Sequence, residues 1–183
     1  MAGDISNILV SIEPTILTTG WGRTEGPVWH PEGYLTFVDL EGSRLLRWED
    51  NGQVSVVRQD TGDGNGCTLD RQGRLIMCEG ADHRRVTRLE PDGSVTNLAE
   101  TWQGKRFSKP NDVIVRSDGT IYFTDPGLRL PQEQREIDFS GVFRIDQQGA
   151  VHLATDECEY PNGLALSPDE SVLYVAISRL DER

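Results

Sequence analysis

The stretch KPNDVIVRSDGTIYFTDP, residues 109–126, carries the pattern that decides the fold. Two short runs rich in Val, Ile, Tyr and Phe flank the tetrapeptide RSDG at 116–119. Asp and Gly supply the backbone angles of a tight hairpin turn, and β-branched and aromatic residues are typical of strands. The stretch therefore predicts a β-hairpin that follows an asparagine.

The same pattern recurs along the chain. PNGLALSPDE at 161–170 repeats it, and two classes of turn alternate between apolar runs. The first class comprises HPEG (30–33), DRQG (70–73), RSDG (116–119) and SPDE (167–170), and the second comprises EDNG (49–52), EPDG (90–93) and DQQG (146–149). No segment has a helical period, so each repeat predicts four antiparallel strands joined by a first-class turn, a variable loop and a second-class turn.

Repeats of 40 to 51 residues with this content are typical of an all-β fold, a β-propeller of four-stranded antiparallel blades. A β-sandwich is the alternative, but it does not explain the fixed order of the turns. Three repeats begin near residues 25, 65 and 111, and a fourth begins near 162 and stops after its second strand. We therefore expect residues 1–183 to form a single propeller domain of about three and a half blades, incomplete at the C-terminus. TILTTG (15–20) has the character of an outer strand that would complete a last blade, and that blade is not in the sequence.

Charge and hydropathy argue against two classes of partner. The chain has 30 acidic and 18 basic residues, a formal net charge of -12, and no stripe of Lys and Arg that could follow a phosphate backbone. No apolar run approaches the ~20 residues of a membrane helix, and the N-terminus does not resemble a signal peptide. We expect a cytoplasmic protein that binds neither nucleic acid nor membrane, with Cys67, Cys78 and Cys158 as reduced thiols. The sequence does not define an oligomeric state.

One side chain recurs at the same position of every repeat. Glu25, Asn65 and Asn111 lie eight residues before Gly33, Gly73 and Gly119, and Asn162 lies eight before Glu170, the matching turn position. We call these four the register residues: Glu25, Asn65, Asn111 and Asn162. First strands line the central channel of a propeller, so the register residues should converge at one face.

Oxygen ligands of this kind suit a hard divalent cation. One carboxylate and several amides, without sulfur or imidazole in register, favour Ca²⁺, with Zn²⁺, Mg²⁺ and Mn²⁺ as alternatives. The competing interpretation is that each asparagine only forms a turn. The variable loops would gather at the same face, and the longest of them, 125–141, is a candidate lid or specificity loop.

Several stretches together carry a family resemblance: TEGPVWHPEG, GCTLDRQGRLIMCEG, KPNDVIVRSDGTIYFTDP, SGVFRI and YPNGLALSPDESVLYVA. They resemble the SMP-30/gluconolactonase/luciferin-regenerating-enzyme-like family of six-bladed, calcium-dependent propellers. The resemblance implies that Glu25, Asn111 and Asn162 hold the metal at the catalytic centre. It also implies that Asn111 faces the substrate together with Lys109. Members of the family commonly add an aspartate from a later DG motif, which has no counterpart here.

Two further residues complete the predicted site. Asn65 is a candidate substrate contact, with a turn role as the alternative. Asp112 is expected to act as a hydrogen-bond acceptor that orients its neighbours.

The implied chemistry is hydrolysis of a sugar lactone such as gluconolactone. A divalent ion would polarise the ring carbonyl while a carboxylate activates water. No G-x-S-x-G motif indicates a serine nucleophile. The alternatives are an esterase or phosphotriesterase that uses the same metal site, and a non-catalytic propeller that serves as a binding platform.

Overall fold

The computed structural model describes residues 11, 13–80, 83–127 and 130–178. Within these residues the secondary structure is built mainly of β-strands, with a 3₁₀ turn at Gln132–Gln134. The strands are β1 Thr24–His30, β2 Tyr34–Asp39, β3 Arg44–Glu49, β4 Val54–Gln59, β5 Gly64–Leu69, β6 Leu75–Glu79, β7 Arg85–Leu89, β8 Val95–Ala99, β9 Thr101–Trp102, β10 Lys105–Arg106, β11 Val113–Val115, β12 Ile121–Asp125, β13 Gly141–Ile145, β14 Val151–Thr155, β15 Pro161–Leu166 and β16 Leu173–Ile177.

The strands pair in chain order to form propeller blades. Blades 1, 2 and 3 are antiparallel sheets of order β1-β2-β3-β4, β5-β6-β7-β8 and β11-β12-β13-β14, and β15-β16 is the described part of blade 4. A short β9-β10 hairpin connects blades 2 and 3. The predicted fold class and the blade boundaries near 25, 65, 111 and 162 are confirmed.

The turns within each blade have the geometry that their sequences predict. Gly33, Gly73 and Gly119 donate their N–H to the carbonyl oxygen three residues earlier at 2.9 Å and have φ between +75° and +91°. Glu170 makes the same hydrogen bond to Ser167 at 2.8 Å with a φ of +55°. A glutamate in the left-handed region is unusual, so the turn, rather than the residue type, dictates this conformation.

The first strands of the blades surround a common axis. β1 packs against β5, β5 against β11, and β11 against β15. The chain reaches each first strand from one face, which we call the loop face because the variable loops join strands there. The short turns lie at the opposite face, which we call the turn face.

Apolar side chains between neighbouring blades form the core. Between blades 2 and 3, Phe107, Phe123 and Phe143 are fully buried, with ring centroids 5.0 to 5.6 Å apart. A smaller cluster that includes Val38 and Met77 joins blades 1 and 2. Burial of inter-blade surface therefore holds the first strands at fixed positions around the axis.

Three other expectations can be compared with the structure. Residues 15–20 were expected to form an outer strand, but this segment has no strand assignment, since no described strand lies beside it as a partner. The three cysteines are free thiols, as expected. Among the described residues, no helix has the length and apolar character needed to cross a membrane.

Candidate functional site

The register residues occupy equivalent places in the four blades. Glu25, Asn65 and Asn162 are each the second residue of a first strand, and Asn111 lies two residues before β11. Near these residues the register of β1, β5 and β15 against the second strand of each blade is interrupted by a β-bulge or a similar irregularity. It lies between Glu25 and Val28 in β1, between Gly64 and Cys67 in β5, and between Pro161 and Leu164 in β15. Bulges of this kind change the direction of a side chain at the end of a strand.

Contacts between blades bring consecutive register residues together. Gly26 lies against the backbone of Asn65, and the N–H of Gly66 donates to the carbonyl oxygen of Asn111 at 2.7 Å. The hydroxyl of Thr124 donates to the carbonyl oxygen of Asn162 at 2.8 Å. The backbone segments that carry the four residues therefore adjoin one another around the axis.

The amide side chains of two register residues are buried. Asn65 is 6% exposed and Asn111 is 2% exposed. Within the described part of the chain, neither side-chain amide makes a hydrogen bond to another protein group. Neither amide is among the described side-chain atoms that are shielded from solvent without a hydrogen-bond partner, so both remain accessible to a ligand.

Asp112 is a carboxylate at a position where the other blades have glycine. The equivalent residues, which follow the register residue in blades 1, 2 and 4, are Gly26, Gly66 and Gly163. Its Oδ2 accepts the N–H of Leu164 at 2.7 Å, so it connects blades 3 and 4, as a supporting acceptor would. Burial raises the pKa of Asp112, and the nearby Glu25 carboxylate raises it further. Two acids therefore share this region of the loop face.

The residue types fit a hard divalent cation. Carboxylate and amide oxygens suit such an ion, and a cation would relieve the repulsion between Glu25 and Asp112. Among the residues that the structure describes, no three His, Cys, Asp or Glu side chains form a metal-binding cluster. Amide oxygens would therefore have to complete the ligand set.

Lys109 is fixed at both ends. Its Nζ lies 2.8 Å from Oδ2 of Asp63, in the loop that leads to β5. Its backbone N–H, and that of Ser108, donate to the two carboxyl oxygens of Asp125 at 2.6 and 2.7 Å. Asp125 is fully buried, and burial raises its pKa to about 6. It thus supports the segment that presents Lys109 and Asn111.

Sequence reasoning missed the structural role of the strand-end acids. Asp39, Glu79 and Asp125 each lie six residues after a first-class turn glycine and end the second strand of a blade. Each is almost completely buried and accepts hydrogen bonds from groups at the loop face. Their common spacing is the signal that could have identified them.

Glu79 is the most densely bonded of these acids. Four side-chain donors surround its carboxylate: Arg58 Nη1, Thr87 Oγ1 and His83 Nδ1 at 2.6 Å, and Arg85 Nε at 2.8 Å. Burial acts to raise the Glu79 pKa, but the hydrogen bonds from Arg58 and Thr87 hold it below its ordinary value. Arg58 belongs to β4, so this network joins blade 1 to blade 2.

The loop that was considered a candidate lid is anchored in its second half. Ile137 is 1% exposed in the core, and the Phe139 ring lies 5.8 Å from that of Trp102. The carboxylate of Glu136 accepts the N–H of Arg106 at 2.7 Å. The exposed part lies around Gln132–Gln134, and residues 128 and 129 are outside the described residues. A lid role stays a prediction.

Pocket size does not identify the site. A pocket of about 430 Å³ opens on the turn face between blades 1 and 2, beside Tyr34 and Arg47, away from the register residues. A smaller pocket of about 250 Å³ has Glu25 in its lining, together with Trp21 and Phe37. The chemistry converges at the loop face, so we favour the register residues over the larger pocket.

Comparisons with known proteins show which sequences this chain resembles. Residues 23–181 match the SMP-30/Gluconolactonase/LRE-like region. The chain is 32% identical over 174 residues to a gluconolactonase of Zymomonas mobilis, with 85% of this chain and 49% of the relative covered. It is 31% identical over 163 residues to the pentonolactonase XacC of Haloferax volcanii, with 87% and 51% covered.

A solved structure is similar in fold as well as in sequence. The gluconolactonase XC5397 of Xanthomonas campestris superimposes with a TM-score of 0.81 at 39% identity, over 88% of this chain and 57% of that one. The chain thus spans about half the length of the curated relatives that it matches.

Proposed function

The chain belongs to the SMP-30/gluconolactonase/LRE-like family, and from this premise we propose that it forms part of a metal-dependent hydrolase of sugar lactones. The observation that supports the proposal most directly is the common register of Glu25, Asn65, Asn111 and Asn162 at the starts of adjoining first strands, whose backbone segments contact one another. The gluconolactonase and pentonolactonase relatives support the substrate class.

In the proposed site, Glu25, Asn111 and Asn162 would hold the divalent cation, with Ca²⁺ favoured. When bound, the cation would polarise the lactone carbonyl and stabilise the negative charge that develops on its oxygen. Asp112 would keep the Asn162 segment in position through the N–H of Leu164. Asn65, Asn111 and Lys109 would bind the hydroxyl groups of the sugar.

The proposed test is hydrolysis by the full-length protein. Proton release from D-glucono-1,5-lactone and from a pentonolactone is followed with added Ca²⁺ and with a chelator, after the spontaneous rate is subtracted. Asn162→Ala should lower kcat/KM by about 100-fold or more, because it removes a metal ligand. The matched control is Asn97→Ala, an exposed amide on the outer strand β8 that bonds to Glu100.

A thermal melt separates binding from catalysis. Ca²⁺ should raise the Tm of the parent protein and of Asn97→Ala, and should raise that of Asn162→Ala much less. An undiminished rate in Asn162→Ala would reject its assigned role. Faster turnover of aryl esters or organophosphates than of lactones would favour the esterase alternative, and no Tm shift with Ca²⁺, Mg²⁺, Mn²⁺ or Zn²⁺ would favour the binding platform.

A further inference from the structure

An ion pair joins blades 2 and 3 beside two of the register residues. Lys109 lies two residues before Asn111, and Asp63 lies two residues before Asn65. Their side chains meet at 2.8 Å and are 20% and 36% exposed. The ammonium group that stands nearest to Asn111 in sequence therefore already has a carboxylate partner.

Local backbone structure holds this pair in place. Asp63 has a φ of +54°, and its carbonyl oxygen accepts the N–H of Gly80 at 3.4 Å. The stem of Lys109 crosses Gly80, where an added Cβ would lie 2.7 Å from Cε and 2.8 Å from Cγ of the lysine. Asp125 fixes the backbone of Lys109 from the other side. The backbone of Asp63 and the stem of Lys109 are therefore both placed against Gly80.

The charge of Lys109 is thus largely cancelled. An ammonium group has three donors, and only one is needed for Asp63, so the others remain for uncharged hydroxyl groups. At Lys109, an incoming phosphate or carboxylate would meet an ammonium group whose charge Asp63 already balances, whereas an uncharged hydroxyl group needs only a hydrogen bond.

We propose that Asp63 determines specificity: by pairing with Lys109 it makes the site select uncharged polyhydroxy lactones over lactones that carry a phosphate or carboxylate group. This inference rests on the proposed lactone hydrolase function. Asp63 acts through Lys109, so its effect should appear in the choice between substrates and not only in the overall rate.

The test compares two lactones that differ only in charge. kcat/KM is measured on the full-length protein for D-glucono-1,5-lactone and 6-phospho-D-glucono-1,5-lactone. Asp63→Asn should raise the ratio of phosphorylated to neutral substrate by about tenfold, the scale of a partly buried charge contact. The increase should shrink in 0.5 M NaCl, since salt screens the freed ammonium, and it should disappear in the double variant Asp63→Asn/Lys109→Met.

Asp60→Asn is the matched control. It removes the same charge three residues away, from a side chain that is 83% exposed and lies 3.5 Å from His83 instead of Lys109. Its substrate ratio should stay within about twofold of the parent value, because exposed charges are well screened. An equal change in both variants would overturn the proposal, since general electrostatics would then explain it.

Calorimetry with D-glucose 6-phosphate and D-glucose tests the same idea without catalysis. Asp63→Asn should bind the phosphorylated sugar about tenfold more tightly than the parent, and the double variant should lose this gain. If the parent hydrolyses no lactone but the gain is present, the proposed function fails and the role of Asp63 stands. If the parent hydrolyses lactones but neither ratio nor binding changes, the role of Asp63 is wrong and the function stands.

Lys109→Met keeps the proposal falsifiable if Asp63→Asn does not fold. With Asp63 intact, this variant leaves an unpaired carboxylate beside the site, so the ratio of phosphorylated to neutral substrate should fall by about tenfold. An unchanged ratio would show that neither charge of the pair acts on the substrate, and would overturn the proposal.

Discussion

Gly66→Ala should damage the candidate site by steric conflict alone. The added Cβ would lie 2.6 Å from Cα of Asp112 and 2.7 Å from the carbonyl oxygen of Asn111. Both atoms belong to the backbone of blade 3, so rotation of a side chain cannot relieve these contacts. The φ of Gly66 is not in the left-handed region, and an alanine there suffers no intrinsic backbone strain.

The size of the effect follows from these distances. Ordinary Cβ contacts begin at 3.4 Å, so blades 2 and 3 would have to separate locally by about 0.8 Å. Overpacking of this kind costs about 1–3 kcal/mol in the free energy of unfolding. The same movement displaces Asn111 and Asp112, and misplacement of about 1 Å at a catalytic centre can lower the rate about 100-fold. We expect at least a tenfold loss in kcat/KM.

Gly163→Ala is the matched control, because it is the equivalent position of blade 4. There the added Cβ would meet Ala176 Cβ at 3.7 Å, an ordinary contact. Chemical denaturation and lactone hydrolysis are measured for both variants of the full-length protein. Gly163→Ala should stay within about 0.5 kcal/mol of the parent stability. If Gly66→Ala is equally benign, or if both variants fail alike, the steric reasoning is refuted.

Two further predictions concern the strand-end acids. Glu79→Gln should lower the free energy of unfolding by about 3–5 kcal/mol, because Arg58 and Arg85 lose a buried carboxylate partner. Chemical denaturation checks this with Glu49→Gln as the control, since the partly exposed pair between Glu49 and Arg47 should contribute less than about 1 kcal/mol. Equal losses in the two variants would contradict the prediction. Asp125 has a folded pKa of about 6 against an ordinary 3.8, so its contribution to stability is complete below pH ~4 and is lost as the pH rises through 6. Between pH 3 and 7 the parent should therefore lose about 3 kcal/mol relative to Asp125→Asn, which does not titrate, and parallel stability curves for the two proteins would contradict this.

The fold could be predicted because its determinants are local. Each hairpin depends on a four-residue turn and on strand-forming neighbours, so the repeat of turns also sets the repeat of blades. The position of Glu170 could be matched to the turn glycines by spacing alone, and it has their left-handed conformation. The segment 15–20 was a different case, because a strand requires a partner that local composition cannot supply.

The candidate site could be predicted only in part. Spacing from the turns placed the register residues at equivalent points of successive blades, because each first strand has nearly the same length. The pair between Asp63 and Lys109 spans 46 residues and depends on how two loops fold against each other. Likewise, Asp125 accepts hydrogen bonds from the backbone of Ser108 and Lys109, which lie in a different part of the chain. No local sequence pattern could predict this contact.

The division between the two faces has a practical consequence for anyone who wishes to immobilise this protein or fuse a reporter to it. The hairpin tips at Gly33, Gly93 and Gly149 project into open space, with no neighbouring atom within 4 Å of an added Cβ. Loop tips of this sort tolerate inserted peptides better than any other part of a domain. A tether or fluorophore attached there would leave the opposite rim free to meet small molecules.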